Sequence, residues 1–147
     1  MGFSEKQREI MRFPYRTQYE ALICDGAVRS GKTSVMSLSF FLWAMGNFDG
    51  QAFALCGKSV GAVERNIVTP LMAITYLQQN FSVRYNRADH VIVATRGRKE
   101  NRFYLFGGKD ESSASLIQGI TLAGVLLDEV ALMPRSFVEQ ALARCSV

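Results

Sequence analysis

The sequence predicts an α/β domain: a mostly parallel sheet flanked by helices, with a β-hairpin inserted into it or set at one edge. Three observations predict it. Short apolar runs alternate with longer helical patterns. The runs Ala21 to Cys24, Ala52 to Cys56 and Val125 to Leu127 are apolar at every position, as strands must be when helices cover both faces. The octapeptide G-A-V-R-S-G-K-T, Gly26 to Thr33, stands between the first run and a long apolar helical pattern, the strand–loop–helix setting of a phosphate-binding loop. At 147 residues, with 48% hydrophobic and 20% charged residues, the chain is one globular domain at most and not a disordered segment.

The elements follow in order. Ser4 can cap a short helix to about Arg12, which Phe13-Pro14 would end. After the strand Ala21 to Cys24, a helix runs from Lys32 to about Met45, with Gly46 as its C-terminal stop. The strand Ala52 to Cys56 ends at Gly57-Lys58-Ser59. Val60 to Ile67 reads as helical, and Thr69-Pro70 as an N-cap and first-turn proline that restart a helix to about Gln79. Three β-type runs come next: Val83 to Tyr85, His90 to Thr95 and Arg102 to Phe106. The last two flank a polar tip, Arg96 to Asn101, which signals a hairpin. Asp110 to Ser115 is rich in capping residues and would start a short helix. The strand Val125 to Leu127 ends in Asp128-Glu129, and Pro134 starts a last helix to about Arg144.

Gly26 to Thr33 is a complete P-loop: Gly26, then Ala27, Val28, Arg29 and Ser30, then Gly31, Lys32 and Thr33. Its glycines let the backbone curl so that N–H groups converge on phosphate oxygens. The helix behind it offers its positive end to the same anion. Lys32 can reach the β- and γ-phosphates of ATP, and the Thr33 hydroxyl can ligate Mg²⁺.

Hydrolysis needs more than phosphate binding. The apolar strand from Leu122 delivers Asp128 and Glu129 at its carboxyl end, where ligands sit in open α/β sheets. Asp128 is the candidate for the Mg²⁺ shell. Glu129 is the candidate for activating water. Adjacent acids on a strand project differently, so the two jobs separate. A water-activating glutamate beside the γ-phosphate would waste ATP in a small-molecule kinase. It favours a hydrolysing motor, a P-loop NTPase of the additional-strand, RecA-like class.

The two motifs and their surroundings resemble the N-terminal ATPase domain of phage large terminase subunits, in particular the PBSX-like group. The stretches that carry the resemblance are Ser4 to Met11 (S-E-K-Q-R-E-I-M), Cys24 to Thr33, Leu105 to Ser113 (L-F-G-G-K-D-E-S-S) and Ile117 to Val130. The resemblance implies a motor that hydrolyses ATP with Mg²⁺ and pumps double-stranded DNA into a procapsid in the host cytoplasm. It implies the portal protein and the small terminase subunit as partners, and a homo-oligomeric ring. It implies that Gln7 reads adenine, which an amide able to donate and accept at once suits; Gln18 is a second candidate. It implies that Arg29 acts in cis on charge developing at the γ-phosphate.

Several positions depart from the family pattern. The loop arginine often sits one place earlier, at Val28. Relatives often carry an arginine acting on the neighbouring subunit where this chain has Gln118. Arg96, Arg98, Arg102, Arg135 and Arg144 are the alternatives for that finger. The resemblance also places a further coupling strand between the P-loop strand and the Asp128 strand. No such strand and no nuclease carboxylate cluster follow. The chain therefore reads as a partial ATPase domain over 1–147, truncated at its C-terminal side, with two sheet edges left to be filled. Two rival readings are another DNA-dependent motor, helicase-like or recombinase-like, and a nucleotide-binding fragment without turnover.

The remaining features are weaker. A formal net charge of +4 permits a polyanionic partner without requiring one. Arg96, Arg98, Lys99 and Arg102 can touch DNA phosphates or a neighbouring subunit, or form a solvated tip. His90, the single histidine, reads as structural. Phe40, Phe41 and Trp43 read as core. The three cysteines, Cys24, Cys56 and Cys145, have no metal spacing and read as reduced, buried thiols. No secretory signal is present, and Val35 to Met45 is too short to span a bilayer, so no membrane partner is expected.

Overall fold

A computed structural model describes residues 21–24, 32–109, 116–128, 139 and 143. The described residues form one six-stranded sheet. Strand β1 is Ala21–Cys24, β2 is Ala52–Gly57 and β3 is Ser82–Asn86. Strand β4 is Val91–Arg96, β5 is Lys99–Gly107 and β6 is Gly124–Asp128. The order across the sheet is β1-β6-β2-β5-β4-β3. The first four of these run parallel, and β4 and β3 add antiparallel at one edge. This is the expected α/β sheet with its hairpin at an edge.

Helix α1, Lys32–Asn47, follows β1 and packs across β1, β6 and β5. Phe40, Phe41 and Trp43 are buried on it, as expected for core residues. Phe53 of β2 and Phe103 of β5 are register partners, and their rings stack with centroids 5.1 Å apart. Phe40 meets Phe53 edge-on from the helix, and Phe41 stacks on Phe103. The strand alternation sends Phe53, Leu55, Phe103 and Leu105 to this face. Ala54, Cys56, Phe106, Val125 and Leu127 go to the other, where Ile117 and Leu122 pack on them. Cys56 is a fully buried thiol, as expected.

The β1–β6 pairing corrects the sequence reading. A gap was expected between these strands, with unpaired groups on both of its edges. Instead β1 and β6 are direct parallel neighbours, from Ala21 against Val125 to Cys24 against Asp128. Their backbone groups satisfy each other, so no gap needs another segment to fill it.

Local corrections follow from tertiary contacts. The helix does not stop at Gly46 but runs to Asn47, whose side-chain amide donates to the Trp43 carbonyl at 2.8 Å. The glycine that turns the chain is Gly50, at φ 72°. Helix α2, Val60–Val63, is N-capped by the Ser59 hydroxyl, which accepts from Ala62 N–H at 3.1 Å. It runs directly into a π-helical turn, Glu64–Val68, and then helix α3, Thr69–Met72. Thr69 is thus helical, not an N-cap. Its N–H bonds back to Glu64, the wider turn that leads into Pro70, which has no N–H to offer. The break falls later, where Ile74 is extended before helix α4, Thr75–Asn80.

The hairpin tip is tighter than expected. Arg96 pairs with Lys99, leaving a two-residue turn in which Gly97 has φ 62° and Arg98 a negative φ. That is the type II′ pattern, with glycine first. Lys99, Glu100 and Asn101 belong to the strand. His90 is not in a strand; it closes the β3–β4 loop at φ 54°, a left-handed conformation that histidine tolerates better than most residues. Residues 116–118, 139 and 143 are helical, in keeping with the helices expected near them. The expected helix from Ser4 lies outside the described residues.

Candidate functional site

Parallel strands β1, β6, β2 and β5 all end at one edge of the sheet. In open α/β sheets this carboxyl edge is where ligands bind, because loops and helix N-termini gather there. Cys24 and Asp128 end neighbouring strands as register partners. The octapeptide begins two residues after Cys24, and its last two members, Lys32 and Thr33, open α1. No acidic residue occupies the first turn of α1, so nothing there offsets its positive end. The fold thus brings the start of α1 and Asp128 to one edge, though they lie far apart in sequence.

Asp128 is 3% exposed. A carboxylate so buried is costly unless partners or a cation compensate it. Asp128 does have a partner within the protein. Aspartate and threonine, the residue types at 128 and 33, offer only oxygen donors. That is the chemistry a hard divalent cation such as Mg²⁺ prefers. Among the described residues no cluster of three or more His, Cys, Asp or Glu could hold a metal.

The other sequence-derived candidates divide. Gln7, Gln18, Gly26 to Gly31 with Arg29, Glu129, Arg135 and Arg144 lie outside the described residues. Gln118 is exposed on the helical turn at 116–118. Arg102 is exposed, 3.9 Å from Glu100. Arg96, Arg98 and Lys99 sit at the opposite end of the sheet, because β5 starts there and runs toward the carboxyl edge. They are not part of this site.

Two cations on the carboxyl edge escaped the sequence reading. The chain leaves β2 and β5 side by side: Gly108 N–H donates to the Gly57 carbonyl at 2.8 Å, and Lys109 N–H to the Lys58 carbonyl at 2.9 Å. Lys58 and Lys109 therefore extend the same edge as Asp128, on the far side of β6 from β1. The signal was present as a lysine just after a strand that ends in glycine in both places, Gly57-Lys58 and Gly107-Gly108-Lys109. Only the parallel pairing of β2 with β5 reveals that the two meet.

No family model matches the chain, and no curated relative matches it. Solved structures do match. A large terminase from a thermophilic bacteriophage is 50% identical with a TM-score of 0.90, over 100% of this chain and 37% of that chain. The same terminase in complex with ADP is 48% identical with a TM-score of 0.86, over 99% of this chain and 36% of that chain. The large terminase ATPase domain of Thermus phage P74-26 is 17% identical with a TM-score of 0.64, over 97% of this chain and 64% of that chain. At that identity the likeness is one of fold. The chain spans little more than a third of the length of the first of these terminases. With half of its residues identical to that protein's from end to end, and with this sheet, the chain belongs to the phage large terminase family and has the fold of its ATPase domain.

Proposed function

We propose that this chain is the ATP-hydrolysing motor portion of a terminase large subunit, which drives double-stranded DNA into a procapsid. The observation that carries the reading is the register of Cys24 with Asp128, in which the strand that precedes the P-loop sequence pairs with the strand that ends in a buried carboxylate. The thermophilic phage's terminase in complexes with ADP and with ATP-γ-S supports nucleotide binding. Residues 1–147 would then make up part of the ATPase domain.

The roles follow from chemistry. Backbone N–H groups of Gly26 to Gly31 cradle the phosphates, and Lys32 neutralises the β,γ-oxygens. Thr33 and Asp128 would hold Mg²⁺, which supplies charge neutralisation on those oxygens when bound. Glu129 orients and deprotonates the attacking water. Gln7 reads the adenine edge, and Arg29 stabilises charge on the γ-phosphate in cis. The partners of this reading are double-stranded DNA, the small terminase subunit and the procapsid portal, with copies of the chain in a ring in the host cytoplasm. No described helix is long and apolar enough to cross a membrane.

The test is ATP hydrolysis by the chain, with and without double-stranded DNA, beside its Glu129→Gln and Lys32→Ala variants. Glu129→Gln should lose about a hundredfold or more in turnover while still binding ATP. Lys32→Ala should lose the binding itself. Turnover that survives Glu129→Gln, or a chain that binds no ATP, would overturn the reading.

A further inference from the structure

At the end of the sheet opposite Asp128 lies an open groove of about 590 Å³. Its floor is Leu42, Met45 and Phe81. Tyr76 of α4 and Arg96, Arg98 and Lys99 of the hairpin tip also line it. Among the described residues no acidic side chain lines it. We infer that this groove binds the phosphate backbone of double-stranded DNA, with Arg96, Arg98 and Lys99 as phosphate contacts and Tyr76 as a sugar-phosphate contact. The inference deepens the motor reading and rests on it for the choice of polyanion.

The cations are presented rather than merely exposed. The Arg96 guanidinium lies over the Phe81 ring, 5.2 Å from its centroid. The Lys99 ammonium donates to the Met45 carbonyl at 3.3 Å. Holding two of the three in place lowers the side-chain entropy lost on binding. Arg98, second in the two-residue turn, is exposed and lines the groove. Tyr76 is 53% exposed, unusual for a large aromatic, and carries a hydroxyl able to donate to phosphate. The nearest carboxylate on the hairpin, Glu100, faces Arg102 at 3.9 Å and does not line the groove. A charge set of one sign over an apolar floor complements a polyanion and repels cationic surfaces.

The placement also joins the groove to the nucleotide edge. Helix α1 begins with Lys32 and Thr33 and ends against the hairpin tip, a span of ~24 Å for its sixteen residues. The connection that follows it is bonded to the start of β5. The Asn101 amide donates to the Phe48 carbonyl at 3.0 Å, Glu100 N–H to Asp49 Oδ1 at 3.1 Å, and Gly50 N–H to the Glu100 carbonyl at 2.8 Å. Helix α1 therefore opens with the last two residues of the octapeptide and ends at the cationic groove.

The experiment is fluorescence anisotropy of the chain with a labelled duplex of roughly thirty base pairs and mixed sequence, titrated across salt. The variants are Arg96→Gln/Arg98→Gln, Arg98→Gln alone and Tyr76→Ala. Arg65→Ala, an exposed arginine remote from the groove, is the control. Binding of a fluorescent ATP analogue is measured in parallel. The double variant should bind about tenfold more weakly, and its log-affinity against log-salt slope should fall by about 2. Arg98→Gln should take about half of that change in slope and remains readable if the double variant is unstable. Tyr76→Ala should weaken binding without changing the slope. Equal losses from Arg65→Ala, or unchanged binding in the groove variants, would overturn the groove while ATP binding keeps the motor reading standing. Poly-glutamate competing as well as duplex would assign the groove to an acidic protein and overturn the DNA assignment. No duplex binding by the unmodified chain would also overturn it, whereas loss of ATP binding bears on the motor reading alone.

Discussion

Cys24 and Asp128 are register partners at the carboxyl ends of two neighbouring parallel strands. Everything proposed for the nucleotide edge depends on that adjacency. It holds a buried carboxylate next to the strand end from which the chain enters the octapeptide. Asp128→Asn keeps the shape and part of the hydrogen bonding but removes the charge. We expect it to abolish the Mg²⁺ dependence of ATP binding and to lower turnover by about a hundredfold or more. Calorimetric titration of ATP with and without Mg²⁺ checks this. An Asp128→Asn chain whose ATP affinity still responds to Mg²⁺ as before would remove Asp128 from the metal shell.

Asn101 ties the hairpin to the end of α1, and its loss should be felt in stability. It is 1% exposed. Its carbonyl accepts from Gln51 N–H at 3.0 Å, and its amide donates to the Phe48 carbonyl at 3.0 Å and to Met45 Sδ at 3.3 Å. Asn101→Leu leaves a backbone donor and a backbone acceptor without partners, at a cost of about 2–4 kcal/mol. Urea denaturation should show that loss in the midpoint with an unchanged slope. A loss below ~1 kcal/mol would mean that water satisfies both groups.

Asn101 also shows where sequence reading stops. The apolar strands were legible because β2 and β6 are buried on both faces and so carry unbroken apolar runs. The octapeptide and the Asp128-Glu129 pair stand out as candidates because phosphate chemistry restricts residue type and spacing. Lys99, Glu100 and Asn101 looked like a loop because they are polar. They are strand because the α1–β2 connection offers them hydrogen bonds, and no local pattern records a partner about fifty residues away. The π turn before Pro70 has no pattern of its own either. Local motifs also say nothing of which strands are neighbours, so they gave neither the β1–β6 pairing nor the alignment of Lys58 with Lys109.

Gly57 and Val63 form a steric pair where β2 meets α2. A Cβ built on Gly57 would lie 2.9 Å from Val63 Cγ2. Valine is branched at Cβ and cannot swing that methyl aside. Gly57→Ala should therefore destabilise by about 1–3 kcal/mol. Val63→Ala removes the obstructing methyl and costs about 2 kcal/mol through its own cavity, since Val63 is fully buried. The double variant should be more stable than the sum of the two losses predicts, by at least about 1 kcal/mol. Strict additivity in thermal melts would show that the backbone moves to absorb the methyl.

Tyr85 gives the fold a dependence on alkaline pH that can be isolated. Its hydroxyl donates to Glu64 Oε2 at 2.7 Å, bridging β3 to the π turn. Burial, then the hydrogen bond and the charge of Glu64, push its ionisation well above the usual phenol range, and nearby Arg87 only partly offsets this. In the unfolded chain the phenol returns to about 10. The stabilisation is therefore complete below about pH 10 and is lost as pH rises above it, because the unfolded chain releases a proton that the folded chain retains. Tyr85→Phe should cost about 1–2 kcal/mol at neutral pH. Its stability should then fall less steeply than that of the unmodified chain above pH 10. The other four tyrosines are common to both proteins, so the difference between the two curves reports Tyr85 alone. Curves that stay parallel through the alkaline range would mean that the Tyr85–Glu64 bond contributes nothing to the folded state.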